Sequence, residues 1–471
     1  MYKKIFFVLL ILPIWGLSQY SVSNWNFIGA TTGTDGNQSY GWSCSNNKDG
    51  SIIAGGQTGY DNSKGLVKVY KYSGNNNWQQ LGQDIVGQNY NDRAGYSVDL
   101  NSAGDIIAIT YPKITVNSGY IKVFKYDGTA WQQLGQTITS VNGFDVSISS
   151  TGYRMAFTRT NDTAAIYDFN GTSWVQVGQN VEGTGSGGYM TRNLCLSGDG
   201  NSVAISVAGT PPVYPVGHLT VFSYNGTNWA AKGQIFNNND IEAQLYFGNV
   251  SLSEDGSRMV FSANSNLNNI PYGYMHMYQF NSTSNMWDVL GQPVKAATAD
   301  LNHVSLSADG NRFLTANYYY DYNNLSRVGK AAVYDYKQDT GNWLQVGADI
   351  YGYPDSYVFF GSSACLSGDG KHLTIGATPE GGYGNLYNFQ YTAEAPKSVT
   401  ISTLAGQDQY IYIDETVQLQ ASVLPTGNNI DNSFSWSVSS GSQYVTVDQN
   451  GLVKGLSPGV ALIKAISNAD S

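Results

Sequence analysis

Along most of the chain, apolar residues alternate with polar ones in short runs. Val250-Ser251-Leu252-Ser253 and Met259-Val260-Phe261 are representative, and they flank Asp255-Gly256. This alternation predicts half-buried strands. An Asp-Gly pair between two such runs predicts a hairpin, because glycine accepts the positive φ that tight turns need. The same turn recurs at Asp49-Gly50, Asp199-Gly200, Asp309-Gly310 and Asp369-Gly370, with Ala103-Gly104 and Thr151-Gly152 as variants.

A second pattern is interleaved with the first. Trp followed by Gly four residues later occurs at Trp25, Trp78, Trp131, Trp174, Trp229, Trp287 and Trp343, spaced 43 to 58 residues apart. Six of these Trp are preceded by an aromatic-x-aromatic step, from Tyr70/Tyr72 to Tyr334/Tyr336, and Tyr387/Phe389 reads as a seventh with no Trp after it. Each repeat therefore holds four strands. A and B flank the Asp-Gly turn, C carries the aromatic step, and D carries the Trp. Four short strands per ~50 residues, repeated, predict a β-propeller. The last repeat ends at strand C near Tyr391, while the chain opens on an unmatched strand D at Trp25. Seven blades result if the N-terminal strand completes the last sheet, which also removes an open edge. The propeller is expected over residues 19–393.

The repeat resembles the FG-GAP repeats of integrin-α-type propellers. Phe360-Gly361 and Phe247-Gly248 stand where the name-giving step would lie, and Gly376-Ala377-Thr378-Pro379 resembles a Gly-Ala-Pro step. Calcium-binding members carry an Asp-x-Asp-x-Asp-Gly loop. Here it has shrunk to turns such as Ser307-Ala308-Asp309-Gly310. One carboxylate cannot supply the six to eight oxygens that calcium takes, so no metal site is expected.

After Tyr391 the repeat stops, and Thr392-Ala393-Glu394-Ala395-Pro396 reads as a linker. Beyond it come Val417-Gln418-Leu419, Trp436, Val447-Asp448-Gln449-Asn450-Gly451-Leu452-Val453 and Gly459-Val460-Ala461-Leu462-Ile463. This order is similar to the bacterial immunoglobulin-like group 2 family. The resemblance implies a β-sandwich over residues 394–471 with Trp436 in its core and Asn450-Gly451 in a hairpin turn. The sequence stops before the final strand usual for such domains, so the domain reads as incomplete.

At the other end, Lys3-Lys4 precedes an apolar run from Ile5 to Leu17, and Gly16-Leu17-Ser18 offers small residues for cleavage before Gln19. The run is short for a membrane span and contains Pro13. Residues 1–18 are expected to be a signal peptide, leaving a secreted or cell-surface protein without a membrane span. Cys44, Cys195 and Cys365 fall in strand A. Cys195 and Cys365 stand where other repeats carry Ser, so all three read as buried free thiols rather than a disulfide framework.

Composition narrows the chemistry. Charged residues are only 12% of the chain and the net charge is −10, so no basic surface exists for nucleic acid. His218, His276, His303 and His372 are scattered over four repeats, and His276 alternates with Met275 and Met277 as a packed residue would. No nucleophile, metal or phosphate motif is present, and no cofactor is expected. Asp240, Glu242 and Asp321 are acids on predicted loops, read as solvated charges.

In an A-B-C-D meander, the A–B and C–D turns share one face and the longer B–C and D–A loops share the other. Binding residues concentrate on such loops. There the chain places Tyr318, Tyr319, Tyr320 and Tyr322, and, on the next connection, Tyr351, Tyr353 and Tyr357, with Tyr246 and Tyr272 in a neighbouring repeat. Tyrosine offers flat apolar area with a polar tip. These residues are the candidate ligand site, against the alternative that they pack the loops together. The expectation is a monomeric, non-catalytic binding or adhesion protein for an extracellular glycan or surface protein, with the Ig-like domain as spacer. The rivals are a polysaccharide-active hydrolase or lyase using loop carboxylates, and a passive module of a larger surface protein.

Overall fold

The computed structural model describes residues 6–7, 24–34, 39–112, 118–141, 144–159, 163–182, 189–208, 218–237, 247–265, 272–296, 303–352, 357–379, 382–392, 398–403, 411–424 and 434–467. They form two compact units. One comprises Trp25–Tyr391, the other Thr392–Ser471 together with Met1–Asn24. The predicted signal peptide lies outside the described residues, except for Phe6–Phe7.

Trp25–Tyr391 is built from strands, with one helical turn at Tyr60–Ser63 among the described residues. In the first repeat, strand A is Tyr40–Asn46, B is Ile52–Gln57, C is Leu66–Tyr72 and D is Trp78–Gln80. They pair in the order A-B-C-D, all antiparallel, and a short fifth strand, Ile85–Val86, pairs with C beyond a break in D. The same meander is repeated until the described residues of this unit hold seven sheets. The seventh takes its outer strand from the N-terminus: Trp25–Thr32 pairs with Asn385–Tyr391, Trp25 opposite Tyr391. The pairing expected at the N-terminus is therefore present, and the aromatic step it meets lies two residues beyond the one read from the sequence. Phe389/Tyr391, not Tyr387/Phe389, is the aromatic step that faces Trp25. An offset of two keeps every side chain on the same face, which is why either register suits the pattern.

Apolar cores lie between consecutive sheets. Val67, Val69 and Ala54 of the first sheet pack on Ile107, Ile109 and Trp131 of the second. Ile28 and Leu386 of the seventh return to Tyr40, Ile53 and Trp78 of the first. Four-stranded meanders packed in succession around a common centre are the β-propeller architecture.

The Trp-x-x-x-Gly spacing has its reason here. Each Trp indole N–H donates to a backbone carbonyl of the preceding sheet, just before that sheet's glycine. Trp131 reaches Leu81 O, Trp174 reaches Leu134 O and Trp25 reaches Val346 O, and the seven bonds span 2.7 to 3.1 Å. Gly82 has φ +74°, and a Cβ on it would lie 2.7 Å from the Trp131 ring. A repeat's glycine thus serves the next repeat's Trp.

The Ser-x-Asp-Gly turns are equally determined. In the fourth sheet Ser197 Oγ donates to Asp199 Oδ1 at 2.5 Å, Asn201 N donates to the same oxygen, and Ser202 N donates back to Ser197 Oγ. Burial alone would raise the pKa of the equivalent Asp309. The Ser307 hydroxyl and the Asn311 amide outweigh it and hold the carboxyl below its ordinary value. Turn also binds turn. Lys48, Ser102, Ser150, Asp199, Glu254, Ala308 and Asp369 each donate a backbone N–H to the turn of the adjoining sheet, at 2.8 to 3.2 Å, until Asp369 returns to Lys48.

The second unit pairs Ser398–Thr403, Thr416–Leu424, Leu452–Gly455 and Val445–Val447 in one sheet, and Phe434–Ser440 with Val460–Ser467 in the other. Phe6–Phe7 adds to Val460–Ser467 in parallel. Trp436 sits in the core with Val417, Leu419, Val453 and Ile463. Asp448 explains the Val-Asp-x-x-Gly run, because its carboxylate accepts from Asn450 N and Leu452 N. Gly451, at φ +80°, turns directly against the Trp436 ring.

Candidate functional site

The structure brings most of the predicted tyrosines together. Tyr318, Tyr319, Tyr320 and Tyr322 follow strand B of the sixth sheet, Arg312–Asn317. Tyr351 and Tyr357 lie on the connection to the seventh sheet. The two segments are tied by Tyr357 N to Ser326 O and Phe359 N to Arg327 O. Tyr353, Tyr246, Asp240 and Glu242 lie outside the described residues, and Tyr272 begins strand C of the fifth sheet.

Within this cluster the rings are largely used on one another. Tyr322 stacks on Tyr351 at 4.1 Å and Tyr318 lies 4.3 Å from Tyr319. Arg327 stands over Tyr319, Tyr357 and Phe359. Lys330 pairs with Asp349 at 2.6 Å beneath Tyr320. Among the described members Tyr357 is left most open, 44% exposed. Asp321 braces the loop by accepting from Arg327 N at 2.7 Å.

A second aromatic group lies on the same face, where the inner strands begin. Trp42 of the first sheet lies 5.5 Å from Tyr96 of the second, which lies 5.7 Å from Phe144 of the third. Trp42 is 42% exposed. These residues carry no signal in the sequence beyond standing at or just before the start of a strand A, and the motif reading passes over them.

Deeper along the inner strands is a polar ladder. At one repeat position stand Ser45, Asp99, Ser147, Cys195, Ser251, Ser305 and Cys365. Six of these accept a backbone N–H from the next sheet, such as Leu100 N to Ser45 Oγ and Ile148 N to Asp99 Oδ2, at 2.8 to 3.3 Å. Asp99 is thus an acid in a serine's place. Burial raises its pKa to about 6 against the Ile148 amide and the Ser45 hydroxyl, which favour the charged form. Asp145, two residues nearer the loop face in the third sheet, is raised to about 7, chiefly by burial and in part by Asp99. It accepts from Ser97 Oγ and Leu194 N. Neither acid is a candidate in the sequence reading. Their common signal is position: each replaces a small polar residue at an inner-strand step.

His276 and His303 are packing residues in this geometry. His276 stacks on Phe261 at 5.4 Å, and burial lowers its pKa to about 4. His303 is lowered similarly, and its Nδ1 faces Asn249 Nδ2 at 3.4 Å. Among the described residues no group of three or more His, Cys, Asp or Glu is placed to hold a metal ion.

Comparison with known proteins gives three findings. Residues 397–471 match the bacterial Ig-like domain (group 2). No curated protein matches the chain by sequence. Among solved structures, the β-propeller domain of Myceliophteria thermophila Cps50 (Swd1) is similar at a TM-score of 0.50 and 11% identity, covering 77% of this chain and 99% of its own. Hydrazine synthase of Kuenenia stuttgartiensis aligns at 0.49 and 11%, covering 73% of this chain and 93% of its own. The first agrees with the propeller architecture, and at that identity it speaks to fold alone.

Proposed function

We propose that the chain is an exported, non-catalytic binding protein. Its seven sheets are the blades of a closed FG-GAP-like propeller, and the B–C and D–A loops form the recognition face for an extracellular glycan or surface protein. The Ig-like domain spaces that face from the cell.

The observation that carries this reading is the exposed aromatic area of that face, where Tyr90, Tyr383, Tyr357 and Trp42 stand open, the last two backed by rings that hold them in place. Preorganised aromatic area binds sugars and proteins at low entropic cost. Among the described acids, Asp99 and Asp145 are committed to strand amides and Asp321 to its own loop, whereas a glycosidase needs two carboxyls free to flank one bond; Asp240 and Glu242 lie outside the described residues.

The test is to probe arrays of immobilised glycans and matrix proteins with the full chain, and to assay reducing ends after incubation with the polysaccharides that score. Binding without product release is the expected result, weakened about tenfold by Tyr357→Ala. Release of reducing sugar, or no binding to any array, contradicts the reading.

A further inference from the structure

The seventh interface, where the end of the propeller meets its beginning, breaks a rule that the other six obey. At each of those, an inner-strand side chain of one sheet accepts the backbone N–H of the residue that follows its counterpart in the next. Cys195 follows the rule, its Sγ accepting from Leu252 N at 3.3 Å. Cys365 stands at the same position in the seventh sheet. Its Sγ instead meets Cys44 Sγ of the first sheet at 3.1 Å, across 321 residues of chain. The carbonyl of Thr374 receives both thiols.

Cys44 is itself an exception. Its counterparts in neighbouring repeats, Val98, Val146, Val250 and Val304, are apolar core residues. A cysteine on each side occurs at this interface alone, so the coincidence falls where the ring must be joined. The interface also has a small apolar core. Among the described residues five buried ones form it, Ile28, Tyr40, Ile53, Trp78 and Leu386, against nine to thirteen at the others.

From this geometry we infer that Cys44 and Cys365 are a modification site: they are joined by a disulfide that covalently closes the propeller. The sulfurs need to approach by only about 1 Å to reach bonding distance. The oxidant is an external disulfide, of a small molecule or of a thiol oxidoreductase. One cysteine thiolate attacks it, forming a mixed disulfide and releasing one thiol. The second cysteine thiolate attacks the protein-borne sulfur and expels the other. Two S–H bonds are lost, one S–S bond forms, and the two electrons end on the reduced oxidant as two thiols. Burial raises the Cys365 thiol well above its ordinary pKa, so the exchange belongs to the stage of folding at which the last sheet docks. Cys195 keeps its hydrogen bond and remains a thiol. The inference is independent of what the loop face binds.

The test is to refold the full chain in mixed oxidised and reduced glutathione, alkylate it in denaturant, and map its peptides by mass spectrometry. One alkylated cysteine, Cys195, is expected, with Cys44 and Cys365 peptides linked and the mass lower by about 2 Da. Reduction is expected to restore three alkylated cysteines and lower the thermal midpoint by about 5 °C. Cys44→Ser is expected to abolish the linked peptide and the midpoint's response to reductant. Three alkylated cysteines in the folded wild-type chain, or glutathione adducts in place of the link, overturn the inference, and neither readout requires the variant to fold.

Discussion

The two faces of the propeller unit are made from the same repeat and differ in what their side chains are free to do. On the turn face the repeat leaves little unassigned. Asp199 is used by Ser197 and Asn201, and the turn backbones bind one another from sheet to sheet. On the loop face the sheets impose only where each loop starts and stops, and the sequence there is free to vary. Aromatics occupy that freedom, some clasped together as Tyr322 and Tyr351 are, others left open as Trp42 and Tyr357 are. The lesson is that repetition marks the scaffold and departure from it marks the candidate site.

The largest effect that sharpens this contrast is expected in the scaffold. Trp131 is 2% exposed and its indole N–H donates to Leu81 O. Trp131→Ala is expected to cost about 3–5 kcal/mol of unfolding free energy, measured by denaturant titration. Tyr357→Ala, on the loop face, is expected to cost within about 1 kcal/mol in the same measurement. Equal losses would erase the distinction between the faces.

An intermediate effect is expected from the inner ladder. Asp145 has a folded pKa near 7, raised by burial above its unfolded value. The folded state therefore holds the proton more tightly. The contribution is complete below the unfolded pKa of about 4 and is lost as pH rises through about 7. His276 and His303, lowered to about 4, act with the opposite sign over an overlapping range. The difference between chains isolates the acid. Asp145→Asn is expected to gain thermal midpoint relative to wild type between pH 5 and pH 8, by about 2–4 °C. A difference that does not change with pH would contradict the assignment.

Much of the scaffold was legible because repetition states its own rules. The Trp, the glycine, the aromatic step and the Asp-Gly turn recur often enough to give strand order and N-terminal closure. For the Ig-like hairpin and the core place of Trp436, the resemblance to the bacterial Ig-like group 2 family supplied the expectation. What stayed hidden lies between repeats. That Gly82 serves Trp131 cannot be read from spacing within one unit, since the partners are 49 residues apart. Asp99 and Asp145 occupy positions that read as serine-like, and the carboxylates matter only once the neighbouring sheet supplies its amides. Tyr387/Phe389 took the place of Phe389/Tyr391 because the partner strand comes from the other end of the chain. Cys44 and Cys365 read as separate buried thiols because only the docking of the last sheet on the first brings their sulfurs together. The described tyrosines of the candidate group stand together, but their mutual stacking needed side-chain geometry, and within that group it leaves Tyr357 open.

The most direct measurement compares two matched double variants of the full chain for binding to whichever arrayed glycan or matrix protein retains the wild type. One removes Trp42 and Tyr357 from the loop face, exposed 42% and 44%, and the other removes Tyr153 and Met286 from the turn face, exposed 40% and 43%. Affinity is expected to fall at least about tenfold in Trp42→Ala/Tyr357→Ala and to stay at the wild-type level in Tyr153→Ala/Met286→Ala. Loss in the turn-face pair with retention in the loop-face pair would contradict the account.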